Sequence, residues 1–233
     1  MKRLSFFPVL VAAAMSAFAS EPQTYTLRVN DFTSLKVVDG INVEYIGDPT
    51  SEGTASYSAP AEVAAMLVFS NNKGALEIEL IDNGNPPAVV PTVTLRSKFL
   101  TKVENAGDST VRITKTQPMP EFKARLVGNG RLAVRDVDAT TIIATIDSGN
   151  GTLVVDGTVK NAKFNNTGAG TIQADRLKAD DVKCRQIGTG SIGCHVNGHL
   201  SVFGAGSGYI YYRGNPTAIQ KRAIGIKVAK IEE

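Results

Sequence analysis

The sequence predicts an all-β chain wound as a β-solenoid, a right-handed parallel β-helix with coils of about 20 residues. Three observations predict it. A Gly-x-Gly marker recurs at near-constant spacing, apolar and polar residues alternate behind each marker, and no segment after the leader carries a useful 3.6-residue period.

The markers are Gly128-Asn129-Gly130, Gly149-Asn150-Gly151, Gly168-Ala169-Gly170, Gly188-Thr189-Gly190 and Gly206-Ser207-Gly208, with Gly107-Asp108-Ser109 as a variant at the front. Successive first glycines stand 21, 21, 19, 20 and 18 residues apart. Two places after each second glycine come Leu132, Leu153, Ile172, Ile192 and Ile210. Four places after come Val134, Val155, Ala174, Cys194 and Tyr212. Alternate residues of a strand face opposite sides, so each run is a strand with one buried face. A second alternating run precedes most markers, as in Phe122-Ala124-Leu126 and Val182-Cys184-Gln186. Two short strands and a glycine corner are too little for a propeller blade and enough for one solenoid coil. The aliphatic positions of stacked coils should then form one continuous core.

The elements follow in order. Residues 1–19 read as a secretory leader. Lys2 and Arg3 give a positive start, Phe6 to Ala14 an apolar core, and Ala17-Phe18-Ala19 a small-x-small cleavage signal. The apolar run is shorter than the roughly 20 residues of a spanning helix. No cysteine follows the cut site, so no lipid anchor is expected there. Residues 20–106 should form irregular coils or an N-terminal cap, with strands at Tyr25 to Val29, Leu35 to Val38, Ile41 to Ile46, Leu76 to Leu80 and Val93 to Leu95. Turns are expected at Asp48-Pro49, Asn71 to Gly74 and Asp82 to Pro87, and one helical turn within Ala61 to Leu67. Residues 107–215 form the regular coils. Residues 216–233 should cap the far end, where Lys221, Arg222, Lys227 and Lys230 suit an edge that must resist pairing.

Charge narrows the function. The chain has 25 Lys and Arg against 22 Asp and Glu, and two of those cations leave with the leader. A near-neutral mature chain excludes nucleic acid as an electrostatic partner. Export places it in the periplasm or outside the cell, where a disulfide is permitted.

Phe32-x-x-Leu35-x-Val37-x-x-Gly40-Ile41-Asn42-Val43-x-Tyr45 resembles the opening signature of the head-GIN-domain family of auto-transporter adhesins. Gly74-x-Leu76-x-Ile78, the glycine repeats and Tyr211-Tyr212-x-Gly214-Asn215-Pro216 continue the likeness over roughly residues 24 to 226. The resemblance implies an exported β-solenoid of bacterial surfaces or periplasm and brings no catalytic residues. The family's closing Ser/Gly-Gly segment is replaced by Ala223-Ile224-Gly225-Ile226. An auto-transporter barrel needs strands of about 9–11 residues crossing the bilayer, and the sequence beyond the solenoid has no room for them.

Several constellations compete with blander readings. Gly188-x-Gly190-x-x-Gly193 matches a dinucleotide fingerprint, but a strand follows where a helix N-terminus is required. Cys184, Cys194, His195 and His199 have the composition of a zinc set, yet adjacent strand residues face opposite ways. Cys184 and Cys194 share inward parity and flank one corner, so they form either a disulfide or two buried thiols. Arg135, Asp156, Asp175, His195 and Arg213 fall on one outward row. Asp156 and Asp175, as neighbours, could hold a cation or act on a glycan; a neutralised charge ladder is the alternative. Tyr209 and Tyr211 should face out and Tyr212 in, as a contact for sugar or protein or as cover for the last coil. Without a clustered acid groove or tryptophan platform, the sequence predicts no enzyme and no cofactor. It predicts a binding or structural module of the cell envelope, whose partner is a glycan, an envelope protein or a second copy joined at the terminal edges. The rival reading is a polysaccharide-active β-helix enzyme.

Overall fold

A computed structural model of the chain describes residues 21–81, 84, 87 and 89–231. The expected leader and its cleavage site lie outside the described residues. The rest is a β-solenoid of stacked parallel coils, about 6 turns in all, as the glycine period predicts.

The regular part shows how one coil is made. Strand β10 (Met119–Val127) runs along a first wall, turns at Gly128-Asn129-Gly130, and enters β11 (Arg131–Ser148), whose first residues form the second wall. The chain then bends at Asp136 and returns to the first wall one layer further on. The next layers are β12 (Thr152–Gly168) and β13 (Thr171–Gly188). They are followed by β14 (Ser191–Val196) with β15 (His199–Gly206), and by β16 (Tyr209–Arg213) with β17 (Ala218–Ile224). The chain ends in β18 (Lys227–Lys230).

On the second wall Leu132 pairs with Leu153, Leu153 with Ile172, Ile172 with Ile192 and Ile192 with Ile210, all parallel. Each of the five has zero exposure, so the row predicted from the sequence is one buried column. Each such side chain is worth about 1.5–3 kcal/mol of burial. On the first wall Ala124, Ala144, Phe164, Cys184 and Val202 form the facing column. Its small members make room for the ring of Phe164.

The corner glycines are dictated by the stacking itself. A Cβ on Gly190 would lie 2.2 Å from the carbonyl oxygen of Gly170 in the preceding corner, and one on Gly107 1.6 Å from that of Asp39. Real side chains cannot make either approach. The interior column beside the corners runs Asn105, Leu126, Ile146, Asn166 and Gln186, so two aliphatic side chains stand between the polar ones. Asn105 Nδ2 donates to the carbonyls of Ser109 and Arg131, and Asn166 Nδ2 donates to those of Gly170 and Ser191. Each amide N–H group ties its own corner to the next coil; Asn105 Oδ1 also accepts the Gly107 N–H, whereas Asn166 Oδ1 is buried without a partner among the described residues.

The N-terminal half stacks out of sequence order. Its strands are β1 (Gln23–Arg28), β2 (Ser34–Val37), β3 (Val43–Gly47), β4 (Thr54–Ala59), β5 (Leu67–Asn72), β6 (Ala75–Leu80), β7 (Val93–Ser97), β8 (Lys102–Asn105) and β9 (Thr110–Ile113). The β2–β3 coil lies between two later coils: β2 pairs with β6 and β8, and β3 with β7 and β9. The outer end closes with antiparallel pairs, β1 on β4, β4 on β7 and β5 on β6. A short helix, α1 (Ala61–Ala64), connects β4 to β5 where one helical turn is predicted. Strands β4, β5 and β8 are not among those expected from the sequence. Tyr25, Tyr57 and Phe69 stack across this end, with centroids 5.3 and 5.9 Å apart.

The stretch expected as a far cap supplies one more coil. β17 pairs with β15 and β18 with β16. Lys221 continues the inward column of Val202, and Lys230 that of Tyr212. These inward lysines blunt an edge that would otherwise accept another strand.

Candidate functional site

The outward rows of the two walls hold the side chains singled out by the sequence, apart from the cysteines and Tyr212. The row of Arg135, Asp156, Asp175, His195 and Arg213 lies where the second wall bends. Asp156 and Asp175 are not cross-strand partners as expected. β13 carries an extra residue against β12, and the register shift sets Asp156 opposite Arg176. Asp156 forms an ion pair with Arg135, lies 3.9 Å from Arg176 Nη2, and accepts the backbone N–H of Asp136 at 2.9 Å. That last bond holds Asp136 at a φ of 49°, a left-handed bend. Asp175 faces Arg213, 3.8 Å from its Nη2. Each carboxylate is thus tied to its own arginine.

Tyr209 and Tyr211 stand two apart on β16, both on the outward side. Their rings are stacked 5.7 Å apart at an interplanar angle of 4°. Lys227 Nζ lies 5.3 Å from the Tyr209 ring centre, and its ammonium can donate to the Tyr209 hydroxyl at 3.5 Å. Tyr211 is opposite Gly193, which leaves space beside the ring. Tyr212 packs against the core from the inner side.

Cys184 and Cys194 are free thiols buried on facing walls. The hydrogen bond with Cys194, and then burial, push the Cys184 thiol well above its ordinary range. The histidines lie elsewhere: His195 is half-buried on the outer row, and His199 is exposed with Nδ1 2.9 Å from Asp181. The Cys and His side chains therefore do not converge, and no group of three or more His, Cys, Asp or Glu among the described residues could hold a metal ion. Gly188, Gly190 and Gly193 form a corner and a strand, so the dinucleotide pattern reflects stacking.

The first wall carries a feature the sequence reading passed over. Lys102, Lys123, Lys163 and Lys183 each stand five residues ahead of a corner glycine, and that fixed offset was available as a signal. They share one outward column, interrupted by Ile143. An open hollow of about 450 Å³ lies beside it, lined by Asn161, Asp181, Lys183, His199 and Gln220 among others.

Stacked coils with ladder-like outer rows define a repeat-built β-solenoid whose surface is made of walls. The chain belongs to the family described as "Putative auto-transporter adhesin, head GIN domain", which matches residues 31–216. No curated protein matches it in sequence. Among solved structures it resembles a putative adhesin from Bacteroides fragilis, with a TM-score of 0.80 at 19% identity over 91% of this chain and 97% of that one. It also resembles a putative lipid binding protein from Parabacteroides distasonis (TM-score 0.71, 20% identity, the same coverages) and a putative adhesin from Parabacteroides merdae (0.70, 18%, the same coverages). At these identities the likeness carries the fold.

The family's naming motif has a structural task here. Ile41 is fully buried and its carbonyl accepts the Ser109 hydroxyl at 2.6 Å; Asn42 Oδ1 accepts the Thr110 N–H at 3.0 Å, and its carbonyl accepts the Val93 N–H at 2.9 Å. The Gly40-Ile41-Asn42 corner therefore stitches β3 to the coils on both sides.

Proposed function

We propose that this protein is a non-catalytic, adhesin-like binding module exported to the bacterial cell envelope, and that it holds a glycan against its outer walls. The observation that supports this most is the pairing of the acids on its bent row and beside Arg125 with arginine. Asp156 is matched by Arg135 and Arg176, Asp175 by Arg213, and Glu104 and Asp147 by Arg125. Cleavage of a sugar needs a pair of carboxyl groups facing the scissile bond, and carboxylates held by arginine are not free to face it. The stacked Tyr209 and Tyr211 give the second wall an aromatic contact suited to a sugar.

The test is a glycan array with the purified mature chain and its Tyr209→Ala/Tyr211→Ala variant. Binding that falls in the variant supports the reading. Release of new reducing ends from any bound polysaccharide would instead favour the enzymatic alternative. Self-association through the last coil is disfavoured by Lys221 and Lys230 on its inward columns.

A further inference from the structure

At the C-terminal end the outer face of the first wall changes character. Arg185 of β13 pairs with Phe203 of β15, and Phe203 with Arg222 of β17. The next column is Ile187, Ala205 and Ile224; on the other side the lysine column continues from Lys183 into Ser201 and Gln220. Phe203 is 55% exposed and Ile224 82%. Lys163, Lys183, Arg185 and Arg222 are exposed, and none has an ion-pair or hydrogen-bond partner among the described residues. The carboxylate on this outward face of β13, Asp181, is already engaged by His199. Successive coils are about 4.8 Å apart, so the unmatched cations lie within a few coils of the apolar tips and in the same plane.

An exposed phenylalanine and isoleucine amid arginine and lysine is the chemistry of a surface that rests on an anionic bilayer. The apolar tips enter the headgroup boundary while the cations meet lipid phosphates. A sugar chain could use the phenylalanine and the cations but gains little from a bare isoleucine. We propose that this end of the first wall is a membrane-docking face that seats the protein on anionic phospholipid. The face lies on the opposite wall from Tyr209 and Tyr211, so it operates independently of the glycan reading.

The chain has no tryptophan, so Phe203→Trp installs a single reporter. The full mature chain carrying it is mixed with vesicles of phosphatidylcholine, with or without phosphatidylglycerol. With phosphatidylglycerol the indole emission should shift to the blue and be quenched by brominated acyl chains; with phosphatidylcholine alone neither should occur. In co-sedimentation, Lys183→Gln, Arg185→Gln and Arg222→Gln should each weaken binding about 5-fold. Added salt should weaken it further. Lys98→Gln, in the N-terminal half, should leave binding unchanged, and circular dichroism establishes that every variant is folded. An indole that stays water-exposed, or equal binding to both vesicles, overturns the proposal. So does capture of polygalacturonate with the same arginine dependence and no vesicle binding, which would make this an acidic-glycan site.

Discussion

In the half from Met119 to Arg213 each coil stacks on the coil that precedes it in the chain, and partners lie about one period apart, as Leu132 and Leu153 do. In the half from Gln23 to Asn105 the β2–β3 coil is inserted between later ones, so Leu35 pairs with both Leu76 and Val103. The difference shows that one wall geometry can be reached by two chain paths. The sequential path writes a visible period into the sequence, because every coil meets a near-copy of itself. The inserted path does not, because β2 must fit β6 and β8, which have different corners. Closing the longer loops also costs more chain entropy before any contact rewards it, so the N-terminal half should be the slower to form.

The largest expected effects come from the corners. Gly190→Ala in the sequential half and Gly107→Ala at the joint with the inserted coil place a Cβ against a backbone carbonyl of the neighbouring corner. Each should cost more than about 4 kcal/mol or abolish cooperative unfolding. Gly40 differs: an added Cβ meets nothing within 4 Å. Gly40→Ala should change stability by less than about 1 kcal/mol in urea melts. A severe Gly40→Ala defect would mean that the inserted coil is held more tightly than its contacts show.

The cysteines belong to the sequential half alone. Protein recovered from an oxidising compartment should carry Cys184 joined to Cys194, seen as a non-reduced mass lighter by the lost hydrogens. Reduction should then lower stability by about 2–3 kcal/mol, the value for a loop of this length. Thiols that remain free yet react with maleimide only after unfolding would show instead that the pair serves as core.

The interior amides compare the halves directly. Asn166→Ala removes two hydrogen bonds and Asn105→Ala removes three, since Asn105 Oδ1 also accepts the Gly107 N–H. The Ser109 and Gly170 carbonyls each keep a backbone donor, so each loss should cost about 1–2 kcal/mol. Similar losses at the two sites would show that the corner tie is independent of stacking order.

Acid should have the smallest effect. Hydrogen bonds from the Thr50 hydroxyl and backbone N–H hold the Asp48 carboxyl below its ordinary value, and the hydrogen bond from His199 does the same for Asp181. A depressed folded pKa gives stability that is complete above the unfolded value and disappears as pH falls through the folded one. The loss therefore falls below about pH 4. Asp48→Asn and Asp181→Asn should each flatten that limb of the melting-temperature profile slightly, since both groups are exposed.

The glycine period and the parity of Leu132 to Ile210 were enough to derive the coil, its corners and its buried column. The turn expected at Asn71 to Gly74 is confined to Lys73-Gly74, with Gly74 at a φ of 83°, because Asn71 and Asn72 still belong to β5. β4 escaped because Ala55, Tyr57 and Ala59 alternate with serine and threonine, and small residues give a weak apolar signal. The Asp156–Asp175 pair was drawn from equal offsets, and one extra residue in β13 undid it.

By itself, the sequence determined that stacked two-strand coils share an aliphatic interior, since period-two burial and glycine corners are local properties that each coil declares. Only the tertiary structure decided which coil lies on which, which carboxylate meets which arginine, and that the unmatched cations gather around Phe203 and Ile224. Those outcomes depend on register between segments up to 69 residues apart, and register is set by packing across coils.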